Sequence, residues 1–541
     1  MTDDSERQVF RRVLDALLRE DHLGLLRRGR LVGSDRWEVP HAGGLLRIPV
    51  RADGFQAALR CARPSVRVRD PDGPDPDRLV DRLDGLLALL APADDPEAEA
   101  GWRTFTAECH ADLRARRLAA RARPAVFGAV AAERVTTPVG MPAALLDDVL
   151  AAHAGHPIYP TDRCRHGLDD DDLLRYAPEH APRFALRWQA VPRAAVRLTG
   201  ALPAWWPAAD RADDLLLPVH PLTAARHAPP LTERPAVIVR PTLSMRTVAL
   251  ADDPYTHLKL PLPTATLGAR NRRGLRPDSL ADGAAVAGLL DRIAAAEPAF
   301  AGRIRHADER TFGHTGDDGP AFLVRRFPRD LAGSRVVPVA ALAAPDPEAG
   351  TVLERVSGGR AAAVLDSYLD LLLDWHVCLW LRYGVALEAH PQNIHVLLAP
   401  DGTIGLLYKD DDGARLDPRH HDAVALRDAR MWAADPGELA DVFVTITLHL
   451  AAAAPLLALA ARGVPVPTPA AALTPRLVAA RDRWGDGPAA RAFVERVLCA
   501  DRLPVKAMVT AGTLLPKQRL GCADVNKYYR RTGPNYLRET R

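Results

Sequence analysis

The sequence predicts a multidomain α+β protein of about three domains. Three observations carry that expectation. First, 541 residues exceed what one compact core supports, at roughly 100–200 residues per domain. Second, apolar residues recur at helical spacing before residue 150 and again in long stretches from about 360, whereas strand patterns gather between about 235 and 265. Third, the two kinds of segment do not alternate regularly, which sets the pattern apart from a doubly wound parallel sheet.

The elements follow in chain order. Val9, Phe10, Val13, Leu14, Leu17 and Leu18 share one face of a surface helix. Acids precede it and no unbroken apolar run follows, so a signal peptide is not expected. The region up to 150 reads as mostly helical. Pro64–Arg78 and Ala91–Glu99 are rich in Pro and Asp and read as connections. Asp169–Asp172 opens a helix, where acids suit the positive dipole end. Ala343–Gly350 is a third break, and Val464–Pro475 a Pro-rich turn between helices. Val442–Ala461 is long and nearly uncharged, but Thr445, Thr447, His449, Pro455 and its alanines make it a buried core helix, with no membrane role.

Composition excludes several classes. Lys plus Arg is 71 and Asp plus Glu 68, a net charge of +3, so a dedicated nucleic-acid binder is not expected; a local basic pocket for an anionic substrate stays open. Charged residues at 26% and hydrophobic residues at 48% exclude a mostly disordered chain. The background is heavy in Arg, Ala and Pro, so a single arginine carries little signal. Six cysteines with no CxxC pair read as reduced thiols in a cytoplasmic protein. No phosphate-loop, dinucleotide, zinc-protease or nucleophile-elbow motif occurs. His420-His421-Asp422 reads as a solvated surface cluster.

Two hairpins concentrate chemistry. The first runs from Val237–Val248 through the turn Ala251–Pro254 into His257–Leu262. Alternation puts Leu258, Leu260 and Leu262 on a core face and Ser244, Arg246, His257 and Lys259 together on the other. A hydroxyl among cations suits phosphate oxygens, and a strand face bearing solubilising charge has the same pattern. On this reading Lys259→Ala spares the fold. Downstream, Arg270, Arg272 and Arg273 read equally well as an anion-binding loop or a solvated basic turn. The second hairpin pairs Ile394–Leu398 with Ile404–Tyr408 about Pro400-Asp401-Gly402. That register brings Glu388–Asn393 opposite Lys409–Asp412. Two carboxylates, Glu388 and Asp410, would meet there, and oxygen ligands beside phosphate imply Mg²⁺.

The ordered series Gly155-His156-Pro157-Ile158-Tyr159-Pro160, Tyr176–Glu179, His220-Pro221, Ser244-x-Arg246-Thr247, Lys259-Leu260-Pro261, Arg270, Glu388-x-His390-x-Gln392-Asn393 and Lys409-Asp410 resembles the NRPS-independent siderophore synthetases, the IucA/IucC family. The resemblance runs from about 150 to at least 416, with a weaker match at Lys506–Leu520. It implies a cupped-hand architecture: a helical thumb at 1–150, a fingers domain with an antiparallel sheet at 151–345, and a mostly helical palm at 346–541.

The reaction it implies is ATP-dependent adenylation of a carboxylic acid, citrate or a related dicarboxylate-derived acid. Capture by an amine or hydroxyl follows, in siderophore biosynthesis. The alternatives are the same chemistry on a non-citrate acid in another pathway, or a non-catalytic ATP-binding homologue. Carried over by motif, Ser244, Arg246, Thr247, Lys259, Arg270, His156, Gln392 and Asp410 would bind ATP. Arg270, His390 and Gln392 would face the acid; Arg270, His390 and Lys259 would serve catalysis; Glu388 and Asp410 would hold Mg²⁺. A homodimer is also implied. The chain departs from the family at Tyr159, where His is usual, at Lys409, where Arg is usual, and at Pro391, where a small residue is common.

Overall fold

A computed structural model describes residues 3–41, 44–69, 77–317, 319–421, 424–522 and 524–538. The helix Asp4–Arg19 forms as its spacing predicts, capped by Asp3, whose carboxylate accepts the Glu6 N–H. Its apolar face, Val9 to Leu18, is buried. What it packs on departs from the helical reading of the first 150 residues: six short strands between Arg30 and Val80 make a sheet. The strand Gly44–Ala52 buries Leu46, Ile48 and Val50, every second residue. The other five strands, of three to six residues and laced with Arg, leave little pattern beside the strong helical periodicity on either side. Val66–Arg69 is likewise a strand inside the segment read as a connection and Arg78–Val80 starts at its last residue, while 70–76 lies outside the described residues.

Pro96–Arg134 is one long helix, capped by Asp95 and opened by Pro96. Gly140–Ala154 follows, and Asp169 caps Asp170–Tyr176 as expected. The middle of the chain builds an eight-stranded sheet in which neighbouring strands run antiparallel. At its centre Thr247–Leu250 pairs with Thr256–Lys259, Thr247 opposite Lys259.

From residue 361 the fold is mainly helical. Ala361–Tyr383 is buried along much of its length and ends at Gly384, whose φ of +62° is the left-handed stop that favours glycine. That stop turns the chain into 385–393 and then the second hairpin. Ile394 pairs with Tyr408 and Leu398 with Ile404, the expected register. The hairpin sits in a four-stranded sheet with Ile304–His306 and Arg335–Pro338. Gly437–Ala460 is long and apolar enough to cross a membrane, yet 89% of its apolar window is buried in the fold, as a core helix would be. The Pro-rich segment is shorter than expected, because Thr468 caps a helix that begins at Pro469. His421 is buried rather than solvated, its Nε2 bonded to the Tyr383 carbonyl at 2.5 Å; Asp422 lies outside the described residues.

Candidate active site

Between the eight-stranded sheet and the helical C-terminal region lies a cleft of about 690 Å³, where Arg and Lys outnumber Asp and Glu two to one. Such a wall favours an anionic ligand. His156, Ser244, Arg246, Arg270, Glu388, His390, Gln392 and Asp410 all line it.

The first ribbon is not the uninterrupted strand its alternation suggests. Thr242–Arg246 is a tight turn: Thr242 N–H and Oγ1 both donate to the Thr247 carbonyl at 2.9 Å, and Ser244 Oγ accepts the Thr247 N–H at 3.1 Å. Met245 sits at φ +63° with its side chain buried. Ser244 and Arg246 therefore stand at a hairpin tip over the cleft. Arg246 is anchored there by its 2.6 Å bond to the Gly274 carbonyl.

The body of the ribbon behaves differently. Leu258 and Leu260 pack in the sheet's core as expected. Thr247 is buried and does not reach the cleft wall. Lys259 and His257 do not face solvent either. That face lies against the second hairpin, where His257 packs on Phe327 at 4.7 Å and Lys259 donates to Asp410 and, at 3.3 Å, to Asp412. Lys259 is 1% exposed. It supports the cleft from behind, which overturns the expectation that its removal spares the fold.

Glu388 and Asp410 both line the cleft, and each has its own cations. Glu388 lies 3.5 Å from Lys506 and 3.7 Å from Lys527. Burial alone would raise its carboxyl, but Lys527 and Lys506 outweigh that and pull it down to about 2. Asp410 leaves its strand at φ +68°, its N–H on Glu309 at 3.0 Å. Burial opposes its charge, yet Lys259, Arg325 and Arg246 hold it well below the usual range. Its neighbour Asp411 goes the other way, pushed up to about 7 chiefly by burial and also by Glu309, Asp410 and Asp412, with His306 opposing.

His156 does two jobs. Its Nδ1 accepts the Ile158 and Tyr159 N–H groups at 3.2 and 2.9 Å, which leaves Nε2 as the protonated nitrogen of a ring on the cleft wall. Burial pushes it down to about 3, so it stays neutral. His390 is likewise lowered to about 4, mainly by burial, with Glu388 opposing. Arg270 rides on a loop clamped to 510–514: its N–H donates to the Gly512 carbonyl at 3.0 Å and its guanidinium to the Thr513 carbonyl. Gly268, at φ +116°, approaches Gly512 so closely that a Cβ would lie 2.8 Å from its backbone.

Sequence reasoning missed Lys506, Lys517 and Lys527, which line the cleft, whereas Arg272 and Arg273 line it as the anion-binding alternative for their loop would have them, Arg273 lowered to about 9 chiefly by burial. A compositional signal was available. Only five of the 71 Lys and Arg residues are lysines: Lys259, Lys409, Lys506, Lys517 and Lys527. Three line the cleft and the other two lie at the Asp410 turn behind it. Where the background turns nearly every cation into Arg, a lysine marks a place where a compact ammonium fits and a planar fork does not.

The chain resembles known proteins in sequence and in fold. Residues 149–344 match the IucA / IucC family, and residues 362–519 match the family described as ferric iron reductase FhuF-like transporter. The rhizobactin siderophore biosynthesis protein RhbC of Rhizobium meliloti is 28% identical over 331 residues, 50% of this chain and 54% of that one. Staphyloferrin A synthase of Staphylococcus aureus is 27% identical over 194 residues, 34% of this chain and 32% of that one. The chain thus aligns with about half or less of these curated relatives. Among solved structures, ATP-bound aerobactin synthetase IucA from Klebsiella pneumoniae superposes with a TM-score of 0.73 at 20% identity, covering 99% of this chain and all of that one. The petrobactin biosynthesis protein AsbB of Bacillus anthracis gives 0.72 at 14%, over 98% and 95%. Fold and site together define an α+β protein built around a cleft with a predominantly cationic wall. The match to the IucA / IucC family spans about a third of the chain, and the likeness to the solved structures extends their fold over nearly all of it.

Proposed function

We propose that the protein is an ATP-dependent synthetase that adenylates a carboxylic acid, citrate or a related acid, and transfers the acyl group to an amine or hydroxyl in siderophore biosynthesis. The observation that carries the reading is one cleft on which Ser244, Arg246, Arg270, Glu388, His390, Gln392 and Asp410 converge under a strong excess of positive charge. In this reading 1–150, 151–345 and 346–541 are thumb, fingers and palm, and the molecule is a homodimer.

Attack of a carboxylate on the α-phosphorus of ATP brings anions together, so positioned cations must offset the repulsion and stabilise the charge that develops. Arg246 and the Ser244 hydroxyl bind phosphate oxygens. Arg270, held by the 510–514 turn, bridges the α-phosphate and the acid. His156 and His390, both neutral, donate hydrogen bonds without adding charge, and Gln392 orients the acid. Lys259 acts through Asp410, which it keeps ionised. Glu388 and Asp410 suit Mg²⁺: both are ionised oxygen donors on the cleft wall, and Mg²⁺ is usually held by one or two carboxylates together with substrate phosphates. Bound there, the ion would neutralise phosphate charge.

The test is product analysis with ATP, Mg²⁺ and a panel of acids including citrate, 2-oxoglutarate and succinyl hydroxamates. AMP and pyrophosphate are expected with the right acid. ADP and phosphate would overturn adenylation, and no turnover with any acid would make the chain a binding protein. Light scattering at micromolar concentration reads the dimer; a clean monomer contradicts it.

A further inference from the structure

Behind Arg270 lies a buried carboxylate that neither the charge of the cleft nor the packing of the core requires. Glu108, on the long helix Pro96–Arg134, is 1% exposed. Its Oε1 accepts from Tyr159 OH at 2.7 Å and Thr161 Oγ1 at 2.5 Å; its Oε2 accepts from Thr513 Oγ1 at 2.8 Å, with His166 Nε2 3.5 Å away. Thr513 Oγ1 has one proton, and it is spent on Glu108. The oxygen's lone pair then receives the Ala269 N–H at 3.2 Å. The next residue is Arg270, whose guanidinium donates to the carbonyl of the same Thr513.

We propose that Glu108, Tyr159 and Thr513 are positioning residues for Arg270. The inference rests on the reading of Arg270 as the contact to acid and α-phosphate. Glu108 orients the Thr513 hydroxyl so that its acceptor side meets Ala269, and Tyr159 orients Glu108. The phenol of Tyr159 is pushed far up by burial and by the adjoining carboxylate, so it remains a donor. This gives Tyr159 a physical role: a fully buried phenol supplies one fixed donor with no second polar atom to satisfy. Gly268 against Gly512 closes the same clamp from the backbone side.

The test uses Thr513→Val, which keeps the shape and loses the hydroxyl, and Thr513→Ser, which keeps the hydroxyl. With ATP, Mg²⁺ and the acid that supports pyrophosphate release, Thr513→Val is expected to lower kcat by about 10–100-fold. The KM for ATP and the melting temperature should change little, and Thr513→Ser should restore activity. In an Arg270→Ala background Thr513→Val should cost nothing further. Equal losses in both backgrounds, or failure of the serine to restore activity, would overturn the proposal. Tyr159→Phe is the second variant, expected to move kcat in the same direction by less; wild-type kinetics in it would remove Tyr159 from the relay. If no acid supports turnover, the functional reading fails by itself. The relay is then judged by crystal structures of wild type and Thr513→Val: a displaced Arg270 supports it and an unmoved one overturns it.

Discussion

Arg246 and Lys259 come from one ribbon, carry the same charge and were expected on the same face, yet they meet opposite surroundings. Arg246 stands on a turn tip with its guanidinium hydrogen-bonded to the Gly274 carbonyl and the cleft open beside it. Lys259, in the paired body of the ribbon, is sealed between two sheets by Asp410 and Asp412. The difference arises from Thr242–Arg246, where the strand breaks and changes which way its side chains point. A cation at the tip faces the open cleft, whereas a cation in the body is spent on the buried carboxylates behind it.

The largest expected effect tests the body. Lys259→Met removes the ammonium that Asp410 and Asp412 share and should cost about 3 kcal/mol of stability, the low end for a broken buried pair because Arg325 stays 3.7 Å from Asp410 and the carboxylates keep some solvent. Denaturant unfolding reads it, and an unchanged midpoint would erase the distinction between body and tip. Leu260→Ala, on the core face of the same ribbon, should cost about 2–5 kcal/mol through its cavity, with the KM for ATP unchanged in the fraction that stays folded. Arg246→Ala should do the converse of Lys259→Met: stability holds, while loss of a charge-assisted contact worth roughly 1.5–3 kcal/mol lowers adenylation by about one to two orders of magnitude.

The smallest effect sharpens the comparison at the second hairpin, where two acids titrate with opposite sign. Glu388 is pulled down to about 2 by Lys527 and Lys506 against burial. Its contribution to stability is present above the unfolded carboxyl range and is lost as pH falls from about 4.5 toward 2. Asp411, pushed up to about 7 chiefly by burial, prefers its proton in the folded state, so stability declines as pH rises from about 4 to 7 and stays reduced above. Glu388→Gln should flatten the acid limb of a stability–pH profile, and Asp411→Asn the limb between 4 and 7. An unaltered neutral limb in Asp411→Asn would show that this acid is not the one that titrates.

Much of the second hairpin was legible, because Pro400-Asp401-Gly402 between two apolar runs fixes both the turn and the pairing of Ile394 with Tyr408. The first ribbon was legible on its return strand, where Leu258 and Leu260 alternate onto the core, and illegible at Met245, whose left-handed φ no alternation announces. The sheet between Arg30 and Val80 was lost because its strands are short and carry charge at their exposed positions. Of the cleft, the motif residues at 156, 244, 246, 270, 388, 390, 392 and 410 were found. Lys506 and Lys527 were not, since single residues more than a hundred positions from Glu388 have no local pattern and only the scarcity of lysine marks them.

The clamp between Gly268 and Gly512 also sets a schedule for synthesis of the protein. Arg270 leaves the ribosome about 240 residues ahead of the turn that holds it. At roughly 5–20 residues per second that is a wait on the order of 10–50 s. The N-terminal helix waits longer still, since Glu20 accepts the N–H groups of Val509 and Thr510 at 3.1 and 2.8 Å. A nascent chain can therefore complete its central sheet while its arginine loop is still unheld, and a ribosome stalled before residue 512 carries the sheet without the clamp.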